Sequence, residues 1–298
     1  MLLGGIEAGG TKFVCVVGTG PDDLRAELRV PTTSPGDTLT AALQFFQAQQ
    51  ALHGRLDALG IGSFGPVDLR PASERFGYIT STPKPGWANT DLVGVFRRGL
   101  GVPVAFDTDV NAAALGEWRY GAARGLDTFL YLTVGTGIGG GALVHGRVLH
   151  GLVHPEMGHV RVARDHSADP FAGACPFHGD CLEGLASGTA MAARWGRPAH
   201  ELLVDHSAWT LEAHYLAQAL QGFVCTLSPQ RIVMGGGVMD QPQLLARVRR
   251  ELQRLLHGYI QAPELLVDID AYLVAPALRR RAGAIGALVL AERAVHRG

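Results

Sequence analysis

Leu2-Leu3-Gly4-Gly5-Ile6-Glu7-Ala8-Gly9-Gly10-Thr11-Lys12-Phe13-Val14-Cys15-Val16-Val17 decides the fold. Two apolar stretches flank a turn whose Gly9 and Gly10 carry no side chain, a pattern that predicts strand, tight turn, strand. The design returns further along as Phe129-Leu130-Tyr131-Leu132-Thr133-Val134, then Gly135-Thr136-Gly137-Ile138-Gly139-Gly140-Gly141, then Ala142-Leu143-Val144. Each copy is followed by a later apolar strand running into glycines, at 58–66 in the first half and at 231–238, through Gly235-Gly236-Gly237, in the second. Helical spacing of apolar residues fills the intervals at 38–51, 110–120, 208–224 and 243–256, and 283–297 reads as a terminal helix. Alternation of strands and helices predicts an α/β architecture with mixed sheets, duplicated around a cleft. The halves are expected to divide near 105–125. A small N-terminal domain would span 1–108 and a large domain 109–282, with the helix at 283–298 packing back on the first.

Length and charge narrow the classes. A chain of 298 residues with 47% hydrophobic and 18% charged residues can bury two cores. A net charge of −1 offers no electrostatic footing for nucleic acid or a membrane surface. There is no apolar run long enough to span a bilayer and no basic-then-apolar leader, so the cytoplasm is the expected compartment. Four cysteines, two of them in one short cluster, fit a reducing compartment better than a disulfide framework.

That cluster is the most specific chemical signal. His159 is followed by Cys175-Pro176-Phe177-His178-Gly179-Asp180-Cys181, which supplies two imidazoles and two thiolates, a full tetrahedral set for zinc. Four protein ligands leave no open position, so the metal is expected to be structural. Glu156 and Glu183 stand beside the ligands, and the loop would present these carboxylates to something polar. Elsewhere, Gly9-Gly10-Thr11-Lys12 can cradle an anion with backbone N–H groups, a hydroxyl and a charge, and Glu7 is placed to hold Mg²⁺ through water. The spacing is not that of a Walker A loop, and alone it serves equally as a plain hairpin turn. Gly135-Thr136-Gly137 is a second such turn, between two strands and therefore unlike a Rossmann fingerprint. Two turns, one per half, suit a triphosphate, and Gly235-Gly236-Gly237 would leave flat space for a nucleoside base. Asp107 and Asp109 follow an apolar strand; either can cap the next helix, and a carboxylate there can also accept a proton from a hydroxyl. The loop from Thr82 to Asp91 either wraps a polar ligand through Asn89 or is a connector with Trp87 on the core.

Taken together and in order, Gly5–Lys12, Pro83–Trp87, Asp109-Val110-Asn111, Gly135–Gly137, Glu156-Met157-Gly158-His159, the Cys/His cluster and Gly235–Gly237 resemble the ROK family of sugar kinases. Lys84-Pro85-Gly86-Trp87 and His154-Pro155-Glu156-Met157-Gly158-His159 look most like its bacterial zinc-containing fructokinases. The resemblance implies a duplicated actin-like, ribonuclease-H-like ATPase fold. It implies ATP against Gly9–Lys12, Gly135–Gly137 and Gly235–Gly237, with Mg²⁺, and Asp109 as the catalytic base. Asn111, Glu156, His159 and Glu183 would face the sugar, with His159 also serving structural Zn²⁺ beside Cys175, His178 and Cys181. It further implies a homodimer acting on a small-molecule sugar and nucleotide, transferring phosphoryl to O6 of D-fructose. Glucose, mannose or an N-acetylhexosamine are the alternative acceptors, and a non-catalytic sugar sensor is the alternative class. A repressor is not expected, because no residues precede the first strand to build a DNA-binding segment. Arg279-Arg280-Arg281 stands where relatives carry Gly-Asp, which leaves the turn before the last helix undetermined.

Overall fold

The computed structural model describes residues 1–296. In chain order the elements are β1 (Leu3–Ala8), β2 (Lys12–Gly20), β3 (Asp23–Pro31), α1 (Pro35–His53), β4 (Ala58–Ser63), β5 (Tyr78–Ile79), β6 (Thr90–Asp91), α2 (Leu92–Leu100), β7 (Val104–Thr108) and α3 (Asp109–Tyr120). There follow β8 (Phe129–Val134), β9 (Ile138–Val144), β10 (Arg147–Val148), α4 (Leu182–Ala186), α5 (Gly188–Trp195), α6 (Ala208–Leu227), β11 (Ile232–Gly235), α7 (Pro242–Leu256), α8 (Pro263–Leu266), α9 (Ile269–Tyr272), β12 (Leu273–Val274) and α10 (Ala282–Val295). Single 3-10 turns lie at Met157–His159, Ala199–Glu201 and Arg279–Arg281.

The chain forms two compact units. Unit 1 contains Met1–Arg124, Val148–Pro155 and the chain from Arg280 onward; unit 2 contains Gly125–Arg147 and Glu156–Arg279. Each is built on a five-stranded sheet, ordered β3-β2-β1-β4-β7 in the first and β10-β9-β8-β11-β12 in the second. In both, a hairpin pairs antiparallel (β1 with β2, β8 with β9), and the strand on its other side runs parallel (β4 with β1, β11 with β8). The duplication visible in the glycine turns is therefore a duplication of sheet topology.

In unit 1 the core gathers Ile6, Phe13, Phe46, Ile61, Trp87 and Phe96, all fully buried. Removing such a side chain from water contributes about 1.5–3 kcal/mol each. The terminal helix α10 lies on this sheet so closely that a Cβ on Gly60 would sit 1.9 Å from the Ala287 carbonyl oxygen. It crosses α3 as tightly, since a Cβ on Gly286 would stand 1.6 Å from the Ala112 carbonyl oxygen. That approach binds α3 into unit 1, so this unit runs on past residue 108 to Arg124. Arg281 anchors the entry to α10 by donating from Nη2 to the Pro21 carbonyl at 2.7 Å, and the three arginines form a 3-10 turn. Of the helix expected at 283–298, residues 297–298 lie outside the described residues. No helix among the described residues is long and apolar enough to cross a membrane.

Candidate active site and metal cluster

In unit 1 the first glycine turn closes by a hydrogen bond from Gly9 N–H to the Lys12 carbonyl, 3.0 Å. Thr32 braces it from β3's side, its hydroxyl donating to the Gly9 carbonyl at 2.7 Å and its N–H to the Thr11 carbonyl at 2.9 Å. Gly10 is exposed and a Cβ there would meet nothing within 4 Å. The turn is thus fixed from behind and open in front, which suits close approach of an anion.

Glu7 lies one residue before the end of β1, beside the N-terminus of α10. Burial, then the Asp109 charge, push its carboxyl up to about 7, while Lys12 and the Ala284 N–H pull the other way. A Cβ on Gly283 would lie 2.5 Å from its Cδ, so this glycine makes the seat for the carboxylate. Glu7 Oε2 is buried without a hydrogen-bond partner. An orphaned carboxylate oxygen at this place fits a hydrated divalent cation, whose charge would favour the ionised form.

Asp107 and Asp109 do not cap α3. The cap is Thr108, whose hydroxyl accepts from Asn111 N–H at 3.1 Å. That leaves Asp109 in the first helical position, with one oxygen accepting from Val110 N–H at 2.8 Å. Burial raises its carboxyl to about 6, against the pull of the local backbone N–H groups. A carboxylate with that affinity is a competent proton acceptor near neutrality.

Asp107 was expected as a helix cap or a proton acceptor, and His150 was not singled out. Asp107 is buried, and its Oδ1 accepts from Thr108 N–H at 2.8 Å and from Asn111 Nδ2 at 2.7 Å. His150 Nε2 lies 3.0 Å from Asp107 Oδ2, and this bond raises the imidazole's affinity for its proton. His150 is 43 residues from Asp107 in the chain, so no local pattern announces the pairing. His154, by contrast, is buried and depressed by desolvation; its Nε2 accepts from Val67 N–H at 3.1 Å, a structural use.

In unit 2 the turns Gly135–Gly137 and Gly235–Gly237 lie side by side, because β8 and β11 run parallel with Thr133 opposite Gly235. Gly236 adopts φ 96°, and a Cβ on it would strike the Val134 carbonyl at 2.4 Å, so only glycine fits. Gly237 is exposed with open space around it. The N-terminus of α5 supports the first turn: Gly188 N–H donates to the Gly135 carbonyl at 2.7 Å, and the Thr189 hydroxyl to the Thr136 carbonyl at 2.8 Å.

His159, Cys175, His178 and Cys181 come together with their ligand atoms all within 4.8 Å of one another. His159 Nδ1 is 3.3 Å from His178 Nδ1, 3.7 Å from Cys175 Sγ and 3.5 Å from Cys181 Sγ. A tetrahedral zinc ion with its usual bond lengths has ligand edges of about 3.3–3.8 Å, so the four atoms fit such an ion. His159 turns its Nε2 toward Glu183 Oε1, 4.0 Å away. Glu183 in turn accepts from Ile138 N–H through Oε2 at 2.9 Å. The structure therefore places Glu183 between the Cys/His cluster and the second glycine turn, a double duty the sequence did not suggest. Glu156 is exposed at the head of the 3-10 turn that carries His159.

The loop before α2 is a connector. Trp87 is fully buried between Phe13 and Phe64 and donates from Nε1 to the Thr33 carbonyl at 2.8 Å. Asn89 is engaged by Arg75.

The ROK family profile matches residues 3–294. The chain is 48% identical over 294 residues to a Bacillus subtilis (strain 168) protein, covering 99% of this chain and 96% of that one. It is 45% identical to the fructokinase of Zymomonas mobilis subsp. mobilis, covering 97% and 96%. The crystal structure of the ROK hexokinase from Thermus thermophilus superposes with a TM-score of 0.80 at 31% identity, covering all of both chains. With a family match over nearly its whole length and relatives at 45–48% identity, this chain belongs to the ROK family.

Proposed function

We propose that this protein is an ATP-dependent hexose kinase whose acceptor is D-fructose, phosphorylated at O6. The observation that carries the reading is Asp109: a carboxylate in the first turn of α3, freed from capping by Thr108 and raised by burial to about 6. As the O6–phosphorus bond forms and the bond from the γ-phosphorus to the bridging oxygen breaks, ADP leaves with the electron pair. The hydroxyl proton passes to Asp109. Such transfer has a loose transition state, so orienting the alcohol and neutralising phosphate charge dominate. Gly9–Lys12 and Gly135–Gly137 take the phosphates, Gly235–Gly237 leaves room for the base, and Asn111, Glu156, His159 and Glu183 bind the sugar. Mg²⁺, when bound near Glu7, supplies charge neutralisation on the phosphates. Zn²⁺ held by His159, Cys175, His178 and Cys181 supplies a cross-link that fixes the His159 ring and the loop. Family membership also supports a homodimer, and the composition supports a cytoplasmic one.

The test is ADP release from Mg-ATP against fructose, glucose, mannose and N-acetylglucosamine, each subsaturating. A large preference for fructose is expected. Preference for glucose or mannose would keep the kinase and overturn the acceptor. No release with any sugar, from folded metal-replete protein, would turn the reading to a sugar sensor.

A further inference from the structure

Asn111 presents an unusual balance of hydrogen bonds. Its N–H is spent on the Thr108 cap and its Nδ2 on Asp107 Oδ1, while its Oδ1 is buried with no donor among the described residues. The amide orientation is forced, because an ionised carboxylate accepts only and so must face the NH₂ group. A buried acceptor left without a donor is costly, on the order of 1–3 kcal/mol, unless a ligand supplies one. Asp107 can fix the amide only if its own carboxylate is held. Thr108 N–H grips Oδ1 at 2.8 Å, and His150 Nε2 spans both oxygens at 3.2 and 3.0 Å. His150 Nε2 also lies 3.5 Å from Asn111 Nδ2, but both atoms donate, so the carboxylate of Asp107 is what links the ring to the amide. The His150 side chain is 42% exposed, which makes it the one adjustable member of an otherwise buried group.

We propose that Asp107 and His150 are positioning residues that fix the Asn111 amide with Oδ1 as its open acceptor, so that the site selects a sugar hydroxyl as donor at that point. This rests on the sugar-binding reading above and assigns a polarity to one of its contacts. The pair is expected to control sugar affinity rather than the transfer step, because neither group faces the reacting proton, which belongs to Asp109.

The experiment is sugar binding by titration calorimetry on the whole protein without nucleotide, which needs no turnover. D-Fructose is the first probe, followed by its 1-, 3-, 4- and 6-deoxy analogues. His150→Phe removes the donor at an exposed position and should weaken fructose binding by about 10-fold, the value of one well-formed hydrogen bond. His150→Gln, which can still donate from Nε2, should restore most of that loss. One deoxy analogue should be insensitive to His150→Phe, because it already lacks the hydroxyl that Asn111 receives. Asp107→Asn should act in the same direction, with analogue selectivity changed as the Asn111 amide is free to turn; folding is checked by the melting transition. Equal fructose affinity in wild type, His150→Phe and His150→Gln would overturn the inference. So would a uniform loss across every deoxy analogue, as would no hexose binding by the wild type. Dyad-dependent binding without any ADP release would uphold the inference and overturn the kinase. ADP release with dyad-independent affinity would do the reverse.

Discussion

The two units share one sheet order and differ in how they are filled. In unit 1 the strands next to the helices are thinned to glycine: Gly4 and Gly5 on β1, Gly60 and Gly62 on β4, with Gly116 and Gly286 where α3 meets α10. The corresponding strands of unit 2, β8 and β11, carry Leu130, Leu132, Ile232 and Val233, all fully buried. Both units bury carboxyl groups, but unit 2 also encloses an arginine with its partner. Arg194 pairs with Asp169 at 3.1 Å with both side chains under a tenth exposed, and Arg164, equally buried, reaches Asp180 inside the metal loop. Unit 1 sets Asp109 on regular backbone held at close range. Unit 2 sets His159 and Glu183 around an irregular segment held by ion pairs. The first arrangement tolerates no added atoms, and the second tolerates no missing ones.

The largest effect should come from one methyl group. Gly286→Ala would place a Cβ 1.6 Å from the Ala112 carbonyl, forcing α3 and α10 apart, at a cost above about 4 kcal/mol. The same change at Gly222 in α6, where a Cβ meets nothing within 4 Å, should stabilise by about 0.5–1 kcal/mol. Thermal melts of both variants decide it; similar shifts would erase the contrast between the units. Next comes Asp109→Asn, expected to lower kcat by about 10²–10⁴-fold with ATP binding and melting temperature preserved. A variant keeping most of its turnover would remove Asp109 from the chemistry.

Much of this contrast was legible in the residues. The glycine turns and the helical spacings appear where the pattern put them, because both signals are local. The His159 and Cys175–Cys181 ligands also come together, since a short Cys-x-x-His-x-x-Cys leaves few other geometries. Strand β3 was not read, although Leu24, Ala26, Leu28 and Val30 alternate with polar residues; its half-exposed edge position weakens the apolar signal. Asp107-Thr108-Asp109 was legible as the cap of α3, but not which of the three, because the two aspartates outrank threonine in preference and only the backbone turn selects Thr108. Asp107 with His150, and Glu183 with Ile138, join residues more than 40 positions apart, and only the folded chain brings them together.

Smaller effects sharpen the comparison further. Stripping the metal with a chelator should lower the melting temperature by more than about 10 °C, since several kcal/mol of folding energy reside in such a site. Metal analysis should return one zinc per chain, and zinc should restore the transition. An unchanged melt after complete removal would show the loop to be held by Arg164 and Asp180 alone. The pH profile probes unit 1. Asp109 must be ionised to accept a proton and its burial raises it to about 6, so kcat/KM for the sugar should fall tenfold per unit below that pH. An acid limb near pH 4 would mean that burial does not raise this carboxylate in the free enzyme.

Glu212 gives the finest test. It sits in α6 only 1% exposed, and neither carboxylate oxygen has a hydrogen-bond partner. Burial holds its carboxyl well above the usual range, opposed by the nearby Arg194 charge. The folded chain therefore keeps a proton that the unfolded chain releases above about pH 4.3, so stability from this group falls as pH rises toward the folded value. Glu212→Gln holds the neutral form permanently and removes that slope. It should be close to neutral at pH 5 and more stable than the wild type by about 1–3 kcal/mol at pH 8. Denaturant melts at the two pH values measure the gap. A gap that closes or reverses at pH 8 would show Glu212 ionised against Arg194, making the charge cluster of unit 2 a buried ion pair, with no proton stored on Glu212.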